Sequence, residues 1–118
     1  DELTTPGVAT VLAREADPVR SFTVDPVELG LAPAIPDELV GGEPSENAEA
    51  VRRVLAGDHG AHRNIVVLNA GAALVVAGRV TTLEEGLEVA ATSIDSGSAA
   101  STLQRFVEVS QAAPTAEP

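Results

Sequence analysis

Residues 61–77 most limit what this chain can fold into. At 3.6 residues per turn, the segment from Ala61 to Ala77 is apolar almost all round. A helix of that kind must be covered on several sides. Its longest apolar run, Ile65 to Ala77, is interrupted by Asn69 and is too short to span a bilayer. The segment therefore reads as an interior helix, and Ala70, Gly71, Ala72 and Ala73 would let a neighbouring backbone come close. A chain of 118 residues makes one domain or part of one. Phe22 and Phe106 are its only aromatics, so its 44% hydrophobic content is mostly Ala, Val and Leu. So small a core is expected to be marginal in isolation, with the helix waiting for a further segment to cover it.

Around this helix the pattern predicts a hairpin and three more helices. Residues 8–15 read as a strand, Asp17-Pro18 as a turn, and Arg20-Ser21-Phe22-Thr23-Val24 as an alternating partner strand. Asp25-Pro26 opens a short turn stopped by Gly30, and residues 31–42, with Pro33, Pro36, Gly41 and Gly42, read mostly as loop. Glu43-Pro44-Ser45-Glu46 marks a helix start, with Ala48, Val51, Val54 and Leu55 on one face and Gly57 at its end. Gly78 closes the apolar helix. Thr81-Thr82-Leu83-Glu84 has the form of a capping box for a third helix that ends at Gly97. Its inner stripe is Leu83, Leu87, Ala90, Ala91 and Ile94. Ser98 is expected to cap a fourth helix with Leu103, Phe106, Val107 and Ser110 inward. Residues 1–111 form the domain segment and 112–118 a disordered tail.

Charge and composition exclude several functions. The net charge is −11 and all seven basic residues are Arg, which leaves no basic stripe for nucleic acid or an anionic membrane. No cysteine is present, so disulfides, thiolate catalysis and Zn–Cys sites are absent from this chain. A small domain without disulfides points to the cytoplasm. His59 and His62 have no third ligand at metal spacing and read as surface-loop residues. Asn69, inside the apolar helix, is expected to satisfy a backbone group of a neighbouring loop, the alternative being a substrate contact. Ile94-Asp95-Ser96-Gly97 reads as a helix end, and Gly41-Gly42 lacks the context of a phosphate loop. Asp1-Glu2 is an adjacent carboxylate pair of the type that holds Mg²⁺ when a phosphorylated substrate supplies further ligands, though by itself such a pair also reads as two solvated residues. These residues alone name no reaction.

No Met occurs, and the chain opens Asp1-Glu2-Leu3. An initiating Met is normally trimmed only before a small residue, so the chain is expected to be a piece of a longer protein, a mature secreted chain being the alternative. Asp1-Glu2-Leu3, Gly41-Gly42 with Glu46-Asn47-Ala48, Val54-Leu55-Ala56-Gly57, Leu68-Asn69-Ala70-Gly71-Ala72-Ala73-Leu74 and Ile94-Asp95-Ser96-Gly97 stand in order and at fitting spacing. Together they resemble the C-terminal third of the anthranilate phosphoribosyltransferases, from Asp1 to about Val109.

The resemblance implies an α/β parent domain whose sheet the hairpin extends, and transfer of a phosphoribosyl group from phosphoribosyl diphosphate to anthranilate in tryptophan biosynthesis. It implies Mg²⁺ on Asp1 and Glu2, a homodimeric parent, and an N-terminal portion of roughly 220–250 residues that binds both substrates. The family's Gly-Thr-Gly-Gly-Asp and Lys-His-Gly-Asn segments are not in this chain, which is expected to be inactive alone. A Gly-Pro-Thr that often follows the carboxylate pair is here Gly7-Val8-Ala9. Two other readings stand beside this one: a stand-alone acidic helical module that binds a protein partner, and a paralogous transferase with another acceptor. The run from Leu68 to Leu74 with Ile94 to Gly97 argues against a nucleoside phosphorylase.

Overall fold

Side-chain alternation pairs the first two segments. The computed structural model describes residues 2–14 and 18–112, and in it β1 (Ala9–Ala13) runs antiparallel to β2 (Arg20–Val24). The register sets Ala9 opposite Val24, Val11 opposite Phe22 and Ala13 opposite Arg20. Ala9, Val11 and Ala13 are half-buried while Thr10 and Leu12 face out, as a period of two requires. The strand is shorter than the expected 8–15, and Glu15 to Asp17, which include the first residue of the expected Asp17-Pro18 turn, lie outside the described residues. On β2 the Arg20 guanidinium stacks 4.9 Å from the centre of the Phe22 ring, covering part of an exposed aromatic.

The chain then turns over a fully buried Pro26. Val27 N–H donates to Asp25 Oδ1 at 2.9 Å, and the N–H groups of Leu29 and Leu31 return to the Pro26 carbonyl. Residues 31–42 are loop apart from one 3₁₀ turn, Pro36–Leu39. Four helices follow: α1 (Pro44–Leu55), α2 (Ala61–Val76), α3 (Leu83–Asp95) and α4 (Ser98–Ala112). Hairpin followed by four helices is the architecture expected from the pattern.

One contact organises the helices. α2 and α3 meet at Gly71 and Gly86, where backbone lies directly on backbone. A Cβ built on Gly86 would sit 2.5 Å from the Gly71 carbonyl oxygen, and one on Gly71 would sit 2.9 Å from the Gly86 carbonyl carbon. Only glycine fits there. This approach brings Val67 and Leu68 of α2 onto Leu87, Ala90 and Ile94 of α3, and with Val24 and Val54 these residues form the core. Leu68 has no exposed surface at all.

Several expectations shift. The capping box of α3 lies one residue later than expected: Glu85 N–H donates to Thr82 Oγ1 at 3.2 Å, and Glu85 Oε2 accepts from Thr82 N–H at 3.4 Å and also from Thr81 N–H at 2.9 Å. Thr81 and Thr82 are each followed three residues on by a Glu, so both registers satisfy the motif. Thr82 wins because its extended backbone lets Leu83 begin the helix facing inward. At α4, Ser98 is the first helical residue, and the hydroxyl facing its N–H, at 3.4 Å, belongs to Ser96. Gly97, at φ +79°, takes the left-handed turn between α3 and α4 that a side chain would strain.

Of the expected inner stripe of α4, Leu103 is half-buried, while Phe106, Val107 and Ser110 are exposed. Phe106 is 69% exposed, and no residue of α4 is buried. Its first turn packs on the core through Ala99, and the rest of the helix runs past α3 and α1 with nothing beyond them to cover it. Ala112 closes α4 rather than opening the tail expected at 112–118, and residues 113–118 lie outside the described residues. α2 is also only partly covered: Val66 is half-exposed and Val76 is 89% exposed, so burial on several sides is not achieved by this chain. No described helix is long and apolar enough to cross a membrane.

Candidate functional site

The segment that follows the carboxylate pair is held by a single amide. Asn69, on the third turn of α2, accepts from Leu3 N–H at Oδ1 (2.9 Å) and donates through Nδ2 to the Leu3 carbonyl (2.9 Å). Nδ2 also donates to the Ile65 carbonyl one turn back at 3.0 Å. Three of the amide's hydrogen-bonding sites are thus used. This is the backbone role expected of Asn69, and its partner turns out to be the residue next to Glu2. Two residues further on, Thr5 is buried, with its Oγ1 unpartnered among the described residues. Leu3 itself packs against the core, so the segment is anchored by backbone and side chains together.

Glu2 stands in front of this anchor. It is exposed, and no hydrogen bond or ion pair engages its carboxylate among the described residues. Asp1, the other half of the expected pair, lies outside the described residues. The donor chemistry suits a hard divalent cation that keeps several waters and takes only one or two protein carboxylates. Glu2 extends from the peptide whose Leu3 N–H is held by Asn69 of α2.

His59 and His62 are apart from this segment. Both line a cavity of about 270 Å³ at the start of α2, together with Glu38, Arg53, Asp58 and Arg63. Two carboxylates offset the cavity's basic groups, and no set of three metal-ligating side chains is present among the described residues. His59 is an exposed loop residue as expected, whereas His62 is a half-buried residue in the first turn of α2 and not in the loop.

Arg63 is the residue that sequence reasoning missed. It is 6% exposed at the first turn of α2, and its Nη2 lies 2.9 Å from both carboxylate oxygens of Asp95 at the end of α3. The signal was available: an Arg in an otherwise apolar helix needs a counter-charge when buried. Asp95 was read simply as part of a helix end. The pair ties the N-terminal end of α2 to the C-terminal end of α3, while Gly71 and Gly86 join the same helices further along.

Gly41 and Gly42, read as no phosphate loop, are held in the same way as Leu3. Asn47 Oδ1 accepts from Gly42 N–H and Asn47 Nδ2 donates to the Gly42 carbonyl, both at 2.9 Å. Glu46 Oε2 accepts from Glu43 N–H at 2.8 Å. Glu46 and Asn47 therefore lock the entry to α1.

The sequence over residues 1–100 matches the family described as the glycosyl transferase family, a/b domain. An anthranilate phosphoribosyltransferase from Methylobacterium nodulans is 53% identical over 112 residues, 95% of this chain and 33% of the relative. Its counterpart from Brucella ovis is 48% identical over 114 residues, 97% of this chain and 34% of the relative. The crystal structure of anthranilate phosphoribosyltransferase from Thermus thermophilus superposes with a TM-score of 0.81 at 37% identity, over 92% of this chain and 32% of that one. The chain spans about a third of the length of these relatives. With a hairpin and four helices that superpose on a solved member, and a family match over residues 1–100, this chain belongs to the glycosyl transferase family.

Proposed function

We propose that this chain is the C-terminal part of the α/β domain of an anthranilate phosphoribosyltransferase. The observation that carries the reading is 53% identity to one such enzyme across 95% of the chain. In the reaction, the anthranilate amine attacks ribose C1 of phosphoribosyl diphosphate. The C1–oxygen bond breaks, its electron pair leaves with diphosphate, and the amine loses a proton. Both substrates are bound mainly by the remainder of the enzyme, which is a cytoplasmic homodimer. The 118 residues alone are inactive.

Asp1 and Glu2 hold Mg²⁺ in this reading, and the residues present fit it: oxygen donors only, with the exposed Glu2 carboxylate free of any cation of its own. A bound Mg²⁺ offsets the negative charge that develops on the diphosphate as it departs. The chain's own contribution is to present the Glu2 carboxylate beside Leu3, which Asn69 holds, and to add the hairpin to the domain's sheet.

The test is made on the full-length protein. It should transfer phosphoribose to anthranilate in preference to other aromatic amines. Changing Asp1→Asn and Glu2→Gln together should lower turnover and raise the Mg²⁺ concentration needed for half-maximal rate. Unaltered Mg²⁺ dependence in the double variant refutes the metal role, and absence of transfer to anthranilate refutes the reaction.

A further inference from the structure

We infer that Asn69 is a positioning residue for the Glu2 carboxylate, an inference that rests on the metal role proposed above. Leu3 N–H belongs to the Glu2–Leu3 peptide and Leu3 C=O to the Leu3–Thr4 peptide. One side-chain amide therefore grips two consecutive peptide planes, each through a 2.9 Å hydrogen bond. Peptide planes are rigid, so holding the Glu2–Leu3 plane places the Cα of Glu2, from which its carboxylate extends.

The grip comes from a firmly seated helix. Leu68, the residue before Asn69, is fully buried, and Gly71, two residues after it, lies directly against Gly86. The third bond, from Nδ2 to the Ile65 carbonyl at 3.0 Å, holds the amide plane against its own helix. A leucine at this position would complete an apolar run without needing any partner. An amide in its place requires partners, and it finds two of them in the backbone that carries Glu2. A carboxylate ligand loses affinity when its backbone wanders, because the cation must then pay the ordering entropy at each binding event. Groups one step behind a metal ligand typically change its affinity by about 10–100-fold when removed.

The experiment uses the full-length enzyme with two substitutions that disturb packing in opposite directions. Asn69→Leu roughly keeps the volume and Asn69→Ala removes it, while both abolish the grip on Leu3. Mg²⁺ activation curves give the half-maximal concentration and the turnover at saturating metal. Mn²⁺ titration followed by electron paramagnetic resonance, with phosphoribosyl diphosphate bound, reads the metal without turnover. Hydrogen exchange at the Leu3 amide reports whether the grip is lost. Val67→Ala, a cavity variant of the same helix, controls for stability.

Both Asn69 variants should expose the Leu3 amide, raise the metal midpoint about ten-fold, and keep most of the turnover at saturating Mg²⁺. Val67→Ala should lower the Tm without moving the midpoint. A midpoint within two-fold of the parent in either Asn69 variant, with the Leu3 amide exposed, overturns the inference. The same holds if Val67→Ala moves the midpoint equally. The Asp1→Asn, Glu2→Gln double variant separates the two claims. If it shifts the midpoint and the Asn69 variants do not, the positioning role alone fails. If none shifts, both claims fall.

Discussion

Asn47, Asn69 and Asp95 each hold a distant or irregular piece of backbone or a buried charge. Asn47 does for Gly42 what Asn69 does for Leu3. Asp95 neutralises Arg63, whose guanidinium is almost wholly buried. Removing the partner of a buried charge costs about 3–5 kcal/mol when both groups are enclosed. The Asp95 side chain is 57% exposed, so water screens its side of the pair. Asp95→Asn should therefore cost about 1–3 kcal/mol in denaturant unfolding. Arg63→Met in that background should cost less than it does alone, because the stranded charge is gone. Equal costs in both backgrounds would show that the pair is not coupled. That Asn69 serves backbone was legible from an amide in an apolar helix. Its partner, 66 residues earlier, was not, because hydrogen-bond pairing across folded space leaves no local pattern.

At the scale of elements, periodicity was sufficient to find the four α-helices and both strands among the described residues, since the hydrophobic stripes and the glycine stops fall where the chain turns, though not the 3₁₀ turn Pro36–Leu39. Boundaries moved where two residues compete for one role, as Thr81 and Thr82 do at the start of α3. Gly71 was read as a place of close approach, but Gly86 was not, because nothing in α3 by itself distinguishes a packing glycine from a weak helix position. Gly86→Ala tests the contact. Alanine should gain about 1 kcal/mol in helix propensity, yet its Cβ would sit 2.5 Å from the Gly71 oxygen, and rigid backbone on the other side cannot yield. Overpacking of this kind costs about 1–3 kcal/mol, so the net effect should be a lower Tm. A raised Tm would mean that the two helices separate readily.

For the whole molecule, the uncovered faces of α2 and α4 decide behaviour. Val66, Val76, Phe106, Val107 and Val109 are exposed together with Leu12 and Val8 of the hairpin region, and a core of small side chains gives little to offset them. The isolated 118-residue chain should self-associate or bind hydrophobic dyes, with a concentration-dependent thermal transition. A sharp transition independent of concentration would show that the chain is sufficient to itself. The sequence by itself determined the elements, their order and the family resemblance, because periodicity, caps and motif spacing are local properties carried by neighbouring residues. Only the tertiary structure decided that Asn69 holds Leu3, that Arg63 meets Asp95, and that α4 leaves most of its expected inner stripe bare. Those outcomes depend on which surfaces meet when the helices pack, and packing joins residues that the chain keeps far apart.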